Sequence, residues 1–234
     1  MSIQTQTKRP NNTFIELIFN IVIPSVILMK LSGEEYLGSF SALIIALLFP
    51  LIYGLYDFIK NKSMNFISLL GFLSTLLTGG IGLFELDVEW LAIKEAAIPS
   101  VIGIVVLISG FWGKPLIAKI LLNPILFNLD LIYQTLSDQN KTDVFKAKIQ
   151  RANHLLSITF VFSATMNYLL AKWIVVSPAG TAQFNEQLGE MTILSYPVIA
   201  IPSTLMLMAI MFYVVKSVTK LTGLKFEEML NAEK

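Results

Sequence analysis

The chain of 234 residues contains no cysteine and a single histidine, and only 14% of its residues are charged. Without cysteine there is no disulfide, no thiolate nucleophile and no Cys-based zinc or iron–sulfur site. Zero cysteine is compatible with either side of a membrane, so it leaves the redox compartment open. The lone histidine, His154, has no His-x-x-x-His partner and no Gly-x-Ser-x-Gly elbow elsewhere in the chain, and its expected setting is solvated or facing lipid. No Walker motif and no dinucleotide fingerprint is present, so no cofactor is expected and ATP-driven pumping by this chain alone is disfavoured. The basic residues hug the apolar segments and form no separate domain, which leaves nucleic-acid binding without support. Taken with the missing catalytic constellation, these absences predict a protein that is not an enzyme.

What the chain has in excess is hydrocarbon. Hydrophobic residues make up 55% of it and the mean hydropathy is +0.69, whereas a soluble domain of ordinary composition carries about 25% charged residues. Apolar residues beyond what one small core can bury need another apolar solvent, and a bilayer supplies it. A helix rising about 1.5 Å per residue crosses a hydrocarbon layer of about 30 Å in roughly 20 residues. Six stretches meet that length: Phe14–Leu31, Leu37–Tyr56, Met64–Phe84, Ile93–Trp112, Leu155–Val176 and Met191–Lys216. None alternates as a strand would, and a helix satisfies its own backbone in lipid, so the expected fold is all-α: a single polytopic transmembrane helical bundle over 1–234. Lys8 and Arg9 ahead of Phe14 imitate a secretory signal, but no Ala-x-Ala-like site follows and a retained first span is the reading.

Charge placement tests this assignment. With the amino terminus inside, fourteen Lys and Arg residues fall on the inner side and three (Lys30, Lys94 and Lys172) on the outer. This is a strong positive-inside bias, and it predicts a multi-pass protein of a bacterial-type inner (plasma) membrane with both termini cytoplasmic.

Within the spans, Pro24, Pro50, Pro99, Pro197 and Pro202 each remove a backbone donor and set kinks, whose first reading is packing geometry and whose sharper one is a hinge. Gly71, Thr75 and Gly79 form a small-residue stripe suited to close helix contact. The run Thr78-Gly79-Gly80-Ile81-Gly82 resembles a potassium-channel filter only faintly, because it closes a continuous apolar helix. The ionisable residues Glu16, Asp57, Lys94 and Glu95 lie within a turn or two of a span end, where they are expected to snorkel or hydrate. Asn167, nearer mid-span, needs a hydrogen-bonding partner and is expected to bridge helices, with a substrate contact as the alternative.

Two connections stand out. The cytoplasmic connection 113–153 holds helically spaced Leu116, Ile117, Ile120 and Leu121 beside Lys114 and Lys119. A second apolar patch follows Asn123-Pro124 and runs from Ile125 to Leu136. The segment 115–136 is a poor span and is expected in the headgroup layer or as a re-entrant loop. A turn at Asp138-Gln139-Asn140 leads into a short basic amphipathic helix, roughly Asp143–Arg151. There Lys141, Lys146, Lys148 and Arg151 are candidate contacts for anionic lipid, a solvated topology signal being the equal alternative. On the outer side Glu85, Asp87, Glu89, Lys94 and Glu95 surround the interfacial anchor Trp90. An acid cluster there could bind a cation or a basic group, although acids at a helix amino terminus are ordinary.

Several landmarks, in order, resemble the intracellular septation protein A (YciB-like) family of bacterial inner-membrane proteins, or a related branch. They are Leu51-Ile52-Tyr53 with Phe58 and Lys60; Gly79-Gly80-Ile81-Gly82-Leu83-Phe84 leading to Asp87, Trp90 and Lys94; and Lys114-Pro115-Leu116-Ile117. Asn167 and Phe184-Asn185 with Gly189 complete the set. The resemblance covers roughly Phe40 to Tyr213. It departs in the longer connection through Asn123–Lys148 and in the extra residues before the second span. What it implies is a part in envelope maintenance, elongation or septation through contacts with division or elongation membrane proteins, besides membrane lipids. The alternative is a small-solute or lipid transporter or facilitator. Asp87, Lys94, Glu95, Lys114 and Asn167 are the candidate functional positions. No metal site is expected, and the sequence sets no oligomeric state.

Overall fold

The computed structural model describes residues 17–61 and 66–231. Among them the chain is helical throughout, with one isolated antiparallel bridge between Phe127 and Leu230. In chain order the helices are α1 (Ile18–Lys30), α2 (Gly38–Asn61), α3 (Phe66–Leu83), α4 (Glu89–Phe111), α5 (Leu116–Leu121), α6 (Leu129–Asp138), α7 (Thr142–Ile174), α8 (Ala182–Thr222) and α9 (Phe226–Met229). Four of them, α2, α4, α7 and α8, are long and apolar enough to cross a membrane, and the apolar helices Ile18–Lys30 and Leu70–Leu83 are shorter. This is an all-α membrane bundle. The short pair coincides with the first and third expected spans. The ends of those spans at 14–16 and 64–65 lie outside the described residues, as do the side chains of Glu16 and Asp57.

The surface explains why the helices need lipid. Along α8, Ile201, Leu205, Met208 and Phe212 are exposed on one face, while Ile210, Val214, Val218 and Thr222 are buried on another. The exposed face of α4 carries Val101, Ile104 and Val105, against buried Val106 and Ser109. Contiguous apolar surface of this kind is incompatible with an aqueous monomer and is what a bilayer solvates.

Two boundaries differ from the sequence expectation. The basic amphipathic segment and the fifth span are one helix of 33 residues, α7. Nothing between Arg151 and Leu155 breaks a helix, and the Asn153 side chain finds partners without interrupting it. The last span begins nine residues earlier than Met191, at Ala182, in a continuous helical run of 41 residues.

The chain divides into two compact units. The first comprises the residues up to Lys94 together with Leu169–Ser195, and the second Glu95–Tyr168 together with Tyr196 onward. In the first unit α1 lies against the start of α8. A Cβ on Gly189 would stand 2.9 Å from the Ser25 carbonyl and 2.7 Å from Met29 Cγ, so only glycine permits this approach. In the same unit Gly79 and Gly82 of α3 receive Leu47 and Leu43 of α2. Gly71 has nothing within 4 Å, so the close contact in α3 falls one helical turn or more beyond the centre of the expected 71–75–79 stripe.

In the second unit α4 meets α7 through two further glycines. Gly103 leaves room for Phe160, and its carbonyl accepts from Ser157 Oγ at 3.0 Å; Gly110 leaves room for Gln150 and Asn153. Asn153, fully buried, donates from Nδ2 to the Val106 carbonyl (2.7 Å) and accepts through Oδ1 from the Ile117 amide (3.2 Å). Three helices are thereby pinned by one amide. The apolar residues of the connection are not spread on a surface. Ile117, Leu122, Ile132, Leu136, Phe145 and Ile149 fill the unit's core with Val214 and Val218 of α8. Ile120, Ile125, Leu126 and Val144 stay exposed. The loop at Asn123–Asn128 is held by the chain's end, where Asn231 Nδ2 donates to the Pro124 carbonyl at 2.7 Å.

Candidate functional site

The first unit holds the most informative polar arrangement. Asp87 Oδ1 accepts the Glu89 amide at 2.8 Å, which caps the start of α4. Glu85, at φ 52, ends α3 in the left-handed region and lays its side chain against Gly180. Glu89 pairs with Lys172 at 2.5 Å, both side chains about half exposed. A pair so open to solvent contributes little to stability. Of the expected acid cluster, Asp87 is thus a cap and Glu89 an ion-pair partner. Glu95 is half-buried and engaged within the protein. Among the described residues no three His, Cys, Asp or Glu side chains gather as a metal ion would require.

Lys94 behaves differently from its expectation. It does not snorkel. Its side chain is 8% exposed, and Nζ donates to Thr78 Oγ1 at 2.7 Å and to Ser74 Oγ at 3.2 Å. Ser74 stands eight residues after the first residue of α3 and nine before its last. The amine therefore sits between Ser74, near the middle of α3, and Thr78, the nearer partner, five residues before the helix's last. Thr78 and Ser74, one turn apart, present their hydroxyls on one face of α3, which is why two oxygens meet one amine. Burying an amine is costly unless hydrogen bonds compensate it, and these two hydroxyls do so. The sequence reading placed Lys94 by its distance from the helix start, and a side chain that reaches inward defeats that measure.

The other named positions separate by role. Asn167 Nδ2 donates to the Ser163 carbonyl at 2.8 Å, one turn back in its own helix, so it is satisfied locally and bridges no helices among the described residues. Lys141 Nζ donates to the Leu221 carbonyl (2.8 Å) and Gln139 Nε2 to the Thr222 carbonyl (2.9 Å), closing the carboxyl end of α8. A cation there also opposes the negative end of the helix dipole. Lys146 pairs with Asp143 at 3.0 Å, Lys148 lies over the Tyr213 ring at 5.9 Å, and Arg151 is exposed. Lys114 is exposed at a cavity shared with Lys119 and Lys146. His154 is half-buried beside Phe111, its Nε2 3.3 Å from Gln150 Nε2.

One feature escaped the sequence reading. The triplet Ile-Pro-Ser occurs at 23–25, 98–100 and 201–203. At the first and third, the five residues before it form a π-helical turn, Ile18–Val22 and Tyr196–Ala200. The Ile23 amide accordingly reaches back five residues to the Ile18 carbonyl. A proline clashes with the carbonyl four residues behind it, and widening the preceding turn relieves the clash. Ser25 Oγ and Ser203 Oγ are both buried without a hydrogen-bond partner among the described residues. A search for recurring triplets would have found the pair; the widened turns have no signal in composition.

Comparison with protein-family models, with curated proteins and with solved structures returns no match for this chain. Its class, a helical membrane protein, therefore rests on its own residues.

Proposed function

We propose that this chain is a non-enzymatic protein of the bacterial inner membrane, both termini cytoplasmic, that supports envelope maintenance, elongation or septation through contacts with other membrane proteins. The reading starts from the landmarks that resemble the septation protein A family. The observation that carries it is the meeting of two of these landmarks, Gly82 and Phe184, about a hundred residues apart, in the first unit, where Asn185, Gly189 and Lys94 also make close contacts. A Cβ on Gly82 would lie 3.2 Å from the Phe184 ring, and Asn185 Nδ2 donates to Ser32 Oγ (3.1 Å) and the Ser39 carbonyl (2.8 Å). Gly189 receives Ser25 in the same unit, and Lys94 reaches Thr78. Residues scattered along the chain but joined in space are what one shared constraint produces. In-membrane crosslinking followed by pull-down tests it, and co-purified division or elongation proteins are the expected result. A deletion strain with normal shape, division and tolerance of envelope stress would overturn it.

A second reading, a small-solute or lipid facilitator, is favoured by the buried Lys94 and by the paired π–proline turns. Interrupted helices at corresponding places in two halves of a chain mark substrate sites in many transporters. Purified protein in vesicles should then move a solute or lipid, and Lys94→Ala should abolish the movement. Vesicles no more permeable than protein-free ones would remove this reading and leave the first standing.

A further inference from the structure

In the second unit a cavity of about 590 Å³ opens between α5, α6 and the first turns of α7. Three lysines line it, Lys114, Lys119 and Lys146, and its apolar wall includes Leu122, Phe145 and the ring of Tyr133. No aspartate or glutamate is among its lining residues. Lys146 has Asp143 as a partner at 3.0 Å, on a carboxylate that is almost wholly exposed. Lys114 and Lys119 make no ion pair or side-chain hydrogen bond among the described residues. The volume is that of a small-ligand site, and its character is divided, with hydrocarbon on one wall and uncompensated positive charge on the other.

The surroundings say from which phase an occupant would enter. Phe111 and Trp112, 73% and 79% exposed, end the apolar run of α4 immediately before Gly113-Lys114, and Ile120 beside Lys119 is exposed as well. Exposed aromatic residues followed at once by lysine mark the level of lipid headgroups. On the lysine-rich side of the protein, cytoplasmic in the proposed topology, the leaflet is the one rich in anionic lipid.

We propose that this cavity binds one anionic phospholipid, with its phosphate among Lys114, Lys119 and Lys146 and the upper part of an acyl chain over Leu122 and Phe145. A soluble phosphate would use the lysines and leave the apolar wall wet. A neutral lipid would leave Lys114 and Lys119 unmatched, and Lys146 with only its exposed partner Asp143. The inference rests on the proposed topology but on neither functional role above, and it differs from a general attraction of basic residues to the surface because it names a bounded site.

The test uses Trp112 as the reporter in a Trp90→Phe, Trp173→Phe background, with full-length protein in phosphatidylcholine nanodiscs. Phosphatidylglycerol with brominated chains should quench Trp112 more strongly than brominated phosphatidylcholine at the same mole fraction. Replacing Lys114, Lys119 and Lys146 by Gln should weaken that preference by about fivefold for each lysine removed. These side chains are exposed or half-exposed, and circular dichroism checks that the helices persist. Lys148→Gln with Arg151→Gln, outside the cavity, should leave the preference intact. Equal quenching by the two lipids overturns the proposal. So does equal loss in the two variants, which would signify diffuse surface charge. Displacement of the quenching lipid by millimolar inorganic phosphate would assign the lysines to a soluble anion and overturn it too.

Discussion

Lys94 Nζ lies 2.7 Å from Thr78 Oγ1, with both side chains buried. The same threonine hydroxyl donates to the Ser74 carbonyl at 3.0 Å, so it accepts from the lysine and gives its own proton to the helix. This division of roles makes Thr78 the better of the two hydroxyl partners. Thr78→Val keeps the shape and removes the acceptor. Leaving a buried amine short of a partner costs about 1–3 kcal/mol, so the detergent-solubilised protein should melt several degrees lower. Ser74→Ala, which removes the longer contact, should cost less. Equal melting of wild type and Thr78→Val would show that the lysine does not depend on this oxygen.

The glycines give a paired prediction. At Gly189 a Cβ meets the Ser25 backbone, which cannot swing away as a side chain can. Gly189→Ala should therefore force α1 and α8 apart, at about 1–3 kcal/mol of overpacking. Gly71→Ala meets nothing within 4 Å and gains helix propensity, so it should be neutral or stabilise by up to about 1 kcal/mol. Thermal melts of the two variants side by side decide it, and a reversed order would displace the tight helix contact from Gly189 to the expected α3 stripe.

Asn153 joins α4, α5 and α7 through one side chain. Asn153→Leu fills a similar volume but strands the Ile117 amide, which it now satisfies, whereas the Val106 carbonyl keeps the Ser109 hydroxyl as a donor at 2.6 Å. A group stranded in an apolar interior costs about 1–3 kcal/mol. The variant should lose roughly that much, with faster proteolysis between α4 and α6 as the visible consequence. Unchanged protease resistance would mean that α5 is held by its apolar contacts alone.

The bundle was legible because a bilayer imposes long apolar helices, and α2 and α4 follow the expected spans to within a few residues at most ends. The misreadings share one cause: sequence distance was used where reach in space was needed. Lys94 is near its helix's start, yet four methylenes carry its amine to Thr78 and Ser74 of the neighbouring helix. Asn167 is near mid-span, yet its amide turns back to Ser163 and joins no helices among the described residues. The apolar residues at 132 and 136 are expected in the headgroup layer because segment 115–136 is a poor span. A polar, interrupted segment can still bury its apolar face on protein, and periodicity does not say which partner covers it.

Topology is the prediction that the absence of cysteine makes cleanest. Every introduced cysteine is the only one in the chain, so labelling needs no background correction. Asp138, at the end of α6, and Gln183, at the start of α8, are both exposed, and α7 is the one candidate span between them. If α7 crosses once, Asp138→Cys and Gln183→Cys face opposite compartments. The fourteen-to-three distribution of basic residues puts residue 138 inside and residue 183 outside. A membrane-impermeant maleimide applied to intact spheroplasts should therefore label Gln183→Cys nearly completely and Asp138→Cys only after lysis. Lys172 near the outer end of α7 argues weakly the other way, but it is neutralised by Glu89, and the six Lys and Arg residues of the connection outweigh it. Labelling of both positions from the same side would mean that α7 does not cross, and the proposed arrangement of termini would have to be abandoned.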